Sequence, residues 1–195
     1  MSCIVGVVQN GEVWMGADGA VSFGETRVRM KNRKMFREKF AGGEMLIGIS
    51  GAPRVAQIME YSFTFPDASG YDDPMDYLCA DFVPALAAKL EEFKRWAPDK
   101  ADAGEPKIVS SSHLLIAFQA SLFLLDSELA VYEIERGYEA IGSGCEVATG
   151  YLRAVSDWRE PSSDSLEAER MVRGALYAAA EFQRGVDGPF HVEKL

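Results

Sequence analysis

The chain has 195 residues, 48% hydrophobic and 26% charged, with a formal net charge of −10. That length and apolar content suit one domain with a sizeable core, spanning 1–195. Acidity without a long basic run argues against a nucleic-acid surface. Three cysteines without CxxC spacing suggest neither a disulfide framework nor a zinc site, and two histidines leave little material for a histidine triad. No apolar run reaches the roughly 18 residues a membrane span needs, and no signal-peptide pattern opens the chain, so a reducing, cytoplasmic setting without membrane partners is expected.

The sequence begins Met1-Ser2-Cys3-Ile4-Val5. Initiator Met is commonly removed before so small a residue, which would leave Ser2 with a hydroxyl and a free α-amine, nucleophile and base on one residue. The plainer reading is a buried first strand. Runs 2–8 and 12–17, joined by Gln9-Asn10-Gly11, predict a β-hairpin. The turn Gly16-Ala17-Asp18-Gly19-Ala20 follows, and by itself Asp18 reads as a turn aspartate. Residues 26–36 alternate apolar and basic side chains, consistent with an extended ribbon carrying Arg27, Arg29, Lys31, Arg33 and Lys34.

An apolar strand over 45–51 ends at Gly51, and Pro53 then starts a helix over about 53–63 with Val55, Ile58, Met59 and Phe63 on one face. The helix N-terminus would aim backbone N–H groups at whatever lies near Gly51. After a loop at 64–73, Asp73-Pro74 supplies an N-cap and first-turn proline for a second helix reaching Trp96, which Pro84 should kink or split. Residues 98–112 read as loop. Short strands over 114–118, 122–125 and 129–134 suggest a meander. Residues 138–141 lead into Gly142-Ser143-Gly144, a third helix carries Val147, Tyr151 and Val155, and a fourth begins near Ser165. A strand over 189–192 closes the chain. His113 and His191 fall in strands and read as structural. This order of elements gives an α+β fold, two antiparallel sheets covered by helices on both outer faces.

Taken in order, Ser2-Cys3-Ile4-Val5, Gly16-Ala17-Asp18, Lys34, Gly48-Ile49-Ser50-Gly51 and Gly142-Ser143-Gly144 resemble the proteasome β-subunit and HslV-like family of N-terminal-nucleophile hydrolases. Each motif alone is weak, whereas their order and separation are specific. The resemblance implies a four-layer αββα sandwich and peptide-bond hydrolysis inside a ring of identical subunits, without metal or cofactor. It assigns Ser2 as nucleophile, Lys34 as the ammonium beside it, and Asp18 as the group holding that lysine. Gly51 N–H becomes the oxyanion donor, and Ser143 with Gly144 supports the amine. Val21 and Ser22 would pair with an extended peptide, with side-chain pockets near Val21, Asn32, Ile49 and Pro53 and a small, mostly apolar preference. No GxxxxGK[ST] run occurs, so an ATPase unfoldase would be a separate partner.

The departures from the family are specific. Serine replaces the commoner threonine, and Gln183 stands where the family often places an aspartate, with Asp187 near but out of register. Cys3 is the stronger nucleophile by type but is not N-terminal on loss of Met1 alone. A noncatalytic ring or scaffold subunit and a small-molecule amidase remain open readings. The amidotransferase start Met-Cys-Gly-Ile is not matched, because Cys is third and Gly sixth.

Overall fold

The computed structural model describes residues 2–23, 26–31, 33–94, 112–157 and 166–195, with backbone alone at 22, 23 and 94. Asn32, Trp96, Ser165 and most of the loop expected over 98–112 lie outside the described residues. Strands β1 (Ile4–Gln9) and β2 (Glu12–Ala17) form the expected hairpin. Asn10 and Gly11 both adopt positive φ, 54° and 77°, the backbone that lets a two-residue turn match the strand twist. A short pair follows, β3 (Ala20–Phe23) and β4 (Thr26–Arg29). Next come β5 (Met35–Phe40), β6 (Gly43–Ser50) and helix α1 (Pro53–Ser62).

Helix α2 (Pro74–Tyr77) is N-capped by Asp73, whose carboxylate accepts from Met75 N–H at 2.8 Å. It continues through a π-helical segment, Leu78–Phe82, into α3 (Val83–Lys94). Pro84 has no N–H to give residue 80 and its ring crowds that carbonyl. The chain responds with a wide turn, Val83 N–H reaching back to Leu78 C=O, so the helix neither breaks nor needs a free end.

Strands β7 (His113–Phe118), β8 (Ser121–Leu125), β9 (Val131–Glu133) and β10 (Tyr138–Ile141) precede α4 (Cys145–Asp157), α5 (Glu167–Phe182) and β11 (His191–Lys194). The last strand begins two residues later than expected, where His191 enters register with Ala17. The ribbon expected over 26–36 divides, because β4 folds back on β3 while β5 joins β6.

The large sheets have orders β10-β1-β2-β11 and β5-β6-β7-β8-β9. Three cores define the layers. Ile4, Met15, Met35, Leu46, Leu115 and Leu122 fill the space between the sheets. Val5, Val7, Leu152, Val172 and Leu176 join the first sheet to α4 and α5. Ile47, Ile58, Tyr77, Phe82 and Ile116 join the second to α1–α3. This is the expected αββα sandwich, and it brings the ends of β1, β2, β6 and β10 to one edge.

Candidate active site

Register assembles the site. Ile4 lies opposite both Ala17 and Ile141, so the residues before Ile4 reach past the strand end between the Asp18 turn and the Gly142-Ser143-Gly144 turn. Asp18 N–H donates to Cys3 C=O at 3.1 Å, and Cys3 N–H returns a 2.8 Å bond to Asp18 Oδ1. Ala20 N–H donates to Asp18 Oδ2 at 3.1 Å, and Lys34 Nζ bonds the two oxygens at 2.8 and 2.9 Å. Asp18 is fully buried and Lys34 is 8% exposed. Such a charge-assisted pair survives burial because both partners are hydrogen-bonded. Burial lowers the Lys34 ammonium from its ordinary pKa, with the Asp18 charge pulling the other way.

On the opposite side, Ser2 N–H donates to Ser143 Oγ at 3.2 Å. Gly144 N–H and Ser143 Oγ both donate to Ser2 C=O, at 3.2 and 3.4 Å. Gly142 has φ +95°, and a Cβ there would fall 2.3 Å from Ser2 O. The close approach explains the glycine. Lys34 is tied to the second sheet as well, since Ile49 N–H donates to Lys34 C=O at 3.0 Å.

A cleft with about 80 Å³ of free space opens beside these groups. Ser2 and Lys34 line it with Gly51 at the end of β6, and Val21, Met30, Ile49, Ala52, Pro53 and Ala56 form mostly apolar walls. Arg33, Gln57 and Glu60 also line it.

Ser2, Lys34, Gly51, Val21, Ile49 and Pro53 thus share one cleft, and hydrogen bonds tie Asp18 to Lys34 and Ser143 with Gly144 to Ser2. Ser22 is on β3 and Asn32 lies outside the described residues. Gln183 ends α5, its N–H bonded to Ala179 C=O, while Asp187 faces Arg27 and Arg29. Sequence reasoning missed Ala56, Gln57 and Glu60, which follow Pro53 on one face at helical spacing and could have been found by extending that face. It also missed Ser112, whose buried hydroxyl accepts from Ala52 N–H at 3.1 Å beside Gly51.

Cys3 is wholly buried, and burial, with the charges of Asp18 and Cys145, pushes its thiol up to about 12. It has no thiolate to offer near neutral pH. Among the described residues no cluster of three or more His, Cys, Asp or Glu could hold a metal ion, and no helix is long and apolar enough to cross a membrane.

No family model matches the chain. It is 28% identical over 203 residues to the ATP-dependent protease subunit HslV of Hyphomonas neptunium, covering 98% of this chain and 91% of the relative. Among solved structures, Thiobacillus denitrificans BPH in complex with epoxomicin matches with a TM-score of 0.72 at 21% identity, covering 99% and 97% of the two chains. The eukaryotic HslV of Trypanosoma brucei matches with a TM-score of 0.64 at 22% identity, covering 99% and 98%. The chain is HslV-like in sequence over nearly its whole length, and its fold is that of the N-terminal-nucleophile hydrolases.

Proposed function

We propose that this HslV-like chain is a single-domain N-terminal-nucleophile peptidase that hydrolyses peptide bonds after removal of Met1. The observation that carries the reading is the shared Asp18 carboxylate, which holds the Lys34 ammonium and the Cys3 N–H at once and so ties a buried cation to the residue after the nucleophile. Its relatives are named ATP-dependent protease subunits, which supports the same reading.

With Met1 gone, the Ser2 nitrogen is an α-amine beside Ser143 Oγ. Ser2 Oγ attacks the scissile carbonyl while that amine takes its proton, directly or through water. The Lys34 charge favours the neutral amine and the anionic intermediate. Gly51 N–H meets the oxyanion, a donor worth about 2.7–4 kcal/mol in such a role. Collapse releases the leaving amine with the proton held by the α-ammonium and leaves an ester on Ser2, which water then hydrolyses. Ser143 and Gly144 fix the Ser2 carbonyl throughout.

The substrate is an unfolded or extended peptide pairing with the β3 backbone from Val21, with Ser22 in register, and strand addition of this kind gives affinity with little sequence preference. Ile49 and Pro53 wall the adjoining pocket, which takes small apolar side chains. The active form is a cytoplasmic ring of identical subunits, fed by a separate ATPase.

The test is intact mass before and after epoxomicin, the compound in complex with the Thiobacillus BPH. Loss of Met1 and one adduct mapped to Ser2 are expected. Retained Met1 with no adduct overturns the reading in favour of a noncatalytic subunit.

A further inference from the structure

An acidic chain that gathers cations on one short ribbon calls for an explanation. The ribbon β3–β4 forms a two-stranded sheet of its own, and β4 is exposed throughout, so neither a main sheet nor apolar burial of β4 fixes its position. Besides the Ala20 N–H bond to Asp18, the segment after α5 touches it. Arg27 and Arg29 each bring Nη2 to 3.3 Å from Asp187 Oδ2, and Arg27 Nη1 donates to the Arg184 carbonyl at 3.4 Å. The Asp187 carbonyl accepts from Gly19 N–H at 3.0 Å, and the Gly19 carbonyl accepts from Met30 N–H at 3.1 Å. Past the ribbon, Arg33 meets Glu193 at 2.5 Å and Arg37 Nε lies 3.6 Å from the same carboxylate.

We propose that residues 184–194 form a clasp that holds the β3–β4 ribbon at the substrate groove, with Asp187 as its positioning residue. The inference rests on the peptidase reading for its functional consequence. Asp187 makes two holds, through its side chain on two arginines of β4 and through its backbone on Gly19, the residue between Asp18 and the start of the ribbon. The strand so positioned begins at Ala20, whose N–H is already committed to Asp18, and continues through Val21 in the cleft wall. The two arginine side chains are 47% and 70% exposed, so each pair is individually weak and is screened by salt. The arginine part of this hold is therefore one that ionic strength loosens, while the Asp18 and Lys34 pair is buried and screened much less.

The experiment compares the parent with Asp187→Asn and Asp187→Glu in three readouts: kcat and KM on an extended peptide, adduct formation at Ser2 by a small electrophile that needs no groove, and amide hydrogen exchange over 20–31. Each is run from about 0.1 M to about 1 M salt, where the Debye length falls from about 10 Å to about 3 Å. Asp187→Asn is expected to raise KM about three- to tenfold at low salt with kcat and Ser2 labelling unchanged, to speed exchange in the ribbon, and to flatten the salt dependence of both. Asp187→Glu restores the parent behaviour. Unchanged KM and unchanged exchange in Asp187→Asn overturn the clasp, as does a parallel loss of kcat and labelling, which places Asp187 at the nucleophile or in the core fold. Should Asp187→Asn fail to fold, parent exchange over 20–31 that does not respond to salt overturns it. A parent that never labels at Ser2 refutes the peptidase reading instead, and the exchange data still decide the clasp.

Discussion

Lys34 and Asp18 form a bidentate pair at 2.8 and 2.9 Å, but they are unequal partners, because Asp18 also accepts from the N–H groups of Cys3 and Ala20. Asp18→Asn removes the carboxylate from a lysine that stays buried, and breaking such a pair costs about 3–5 kcal/mol. Lys34→Met leaves the carboxylate with its two backbone donors, so its loss is smaller. Both variants lose peptide hydrolysis by about 100-fold or more, the scale of removing one preorganised charge or donor. Urea unfolding and peptide turnover measured together check the order. Equal stability losses would mean that the backbone donors do not sustain Asp18.

Activity and pH follow from the same pair. An ordinary α-amine has a pKa of about 7.7–8.0, so in the proposed mechanism the rate is expected to climb as the Ser2 amine loses its proton. It falls again on the alkaline side as Lys34 discharges, and this happens below the ordinary lysine value because burial lowers Lys34, with Asp18 opposing. The sign for stability is the same as for any group whose folded pKa is depressed. Between the folded value and the ordinary 10.5 the unfolded chain binds the extra proton, so stability rises with pH across that window. Lys34→Met removes this rise. A pH profile of kcat/KM whose alkaline limb starts only above 10.5 would contradict the assignment.

Thiol chemistry separates the neighbouring nucleophiles. Cys79 is exposed, whereas Cys3 is buried with its thiol at about 12. Iodoacetamide at about pH 8 is expected to alkylate Cys79 and spare Cys3, with peptide hydrolysis retained. Rapid modification of Cys3 accompanied by loss of activity would move the nucleophile one residue along the chain.

Much of this arrangement is legible in the sequence because its signals are local. Asn10-Gly11 fixes the hairpin by backbone chirality, and Asp73-Pro74 starts α2 by capping. The site motifs lie at strand ends, so once the strands are placed, their ends converge. What was not legible depends on partners distant in sequence. Alternation over 26–36 looks like one ribbon, yet Met35 onward pairs with Gly48 and earlier residues while Thr26–Arg29 return to β3. Pro84 announces a disturbance but not its form, a π turn closed by Leu78 and Val83. The cations of the ribbon find Asp187 and Glu193 about 160 residues away, a pairing no periodicity encodes.

Gly142 tests how tightly the serine residue is held. Alanine there must adopt φ near +95° and place its Cβ 2.3 Å from Ser2 O. Backbone strain of this kind costs about 1–3 kcal/mol before the collision is counted. Gly142→Ala is therefore expected to lower the unfolding midpoint and to reduce Ser2 labelling, because the carbonyl that Gly144 and Ser143 hold must move. Alanine at the exposed Gly150, where nothing lies within 4 Å of the added carbon, serves as the control and should stabilise α4 slightly. Loss of labelling in both variants would point to a general effect on the fold.

Ile49 is expected to set the width of the cleft. It is 5% exposed, lies in the run of buried residues that closes β6, and shares the cleft wall with Ala52, Pro53 and Ala56. Because the apolar neighbours on α1, Pro53 and Ala56, are small, Ile49 is expected in the proposed peptidase to be the bulky apolar side chain on that wall that limits what residue can precede the scissile bond. Truncation to alanine enlarges the pocket at a stability cost of about 2–5 kcal/mol, the usual range for a buried isoleucine. Each methylene accommodated in an apolar pocket is worth about 1–3 kcal/mol of discrimination, so kcat/KM for phenylalanine or leucine relative to alanine at that position should rise at least about tenfold. A series of peptides differing only there measures the ratio. An unchanged ratio in a variant that still turns over alanine peptides would show that Ile49 supports β6 from the core side, and that the width of the pocket is set by other lining residues such as Met30 and Val21.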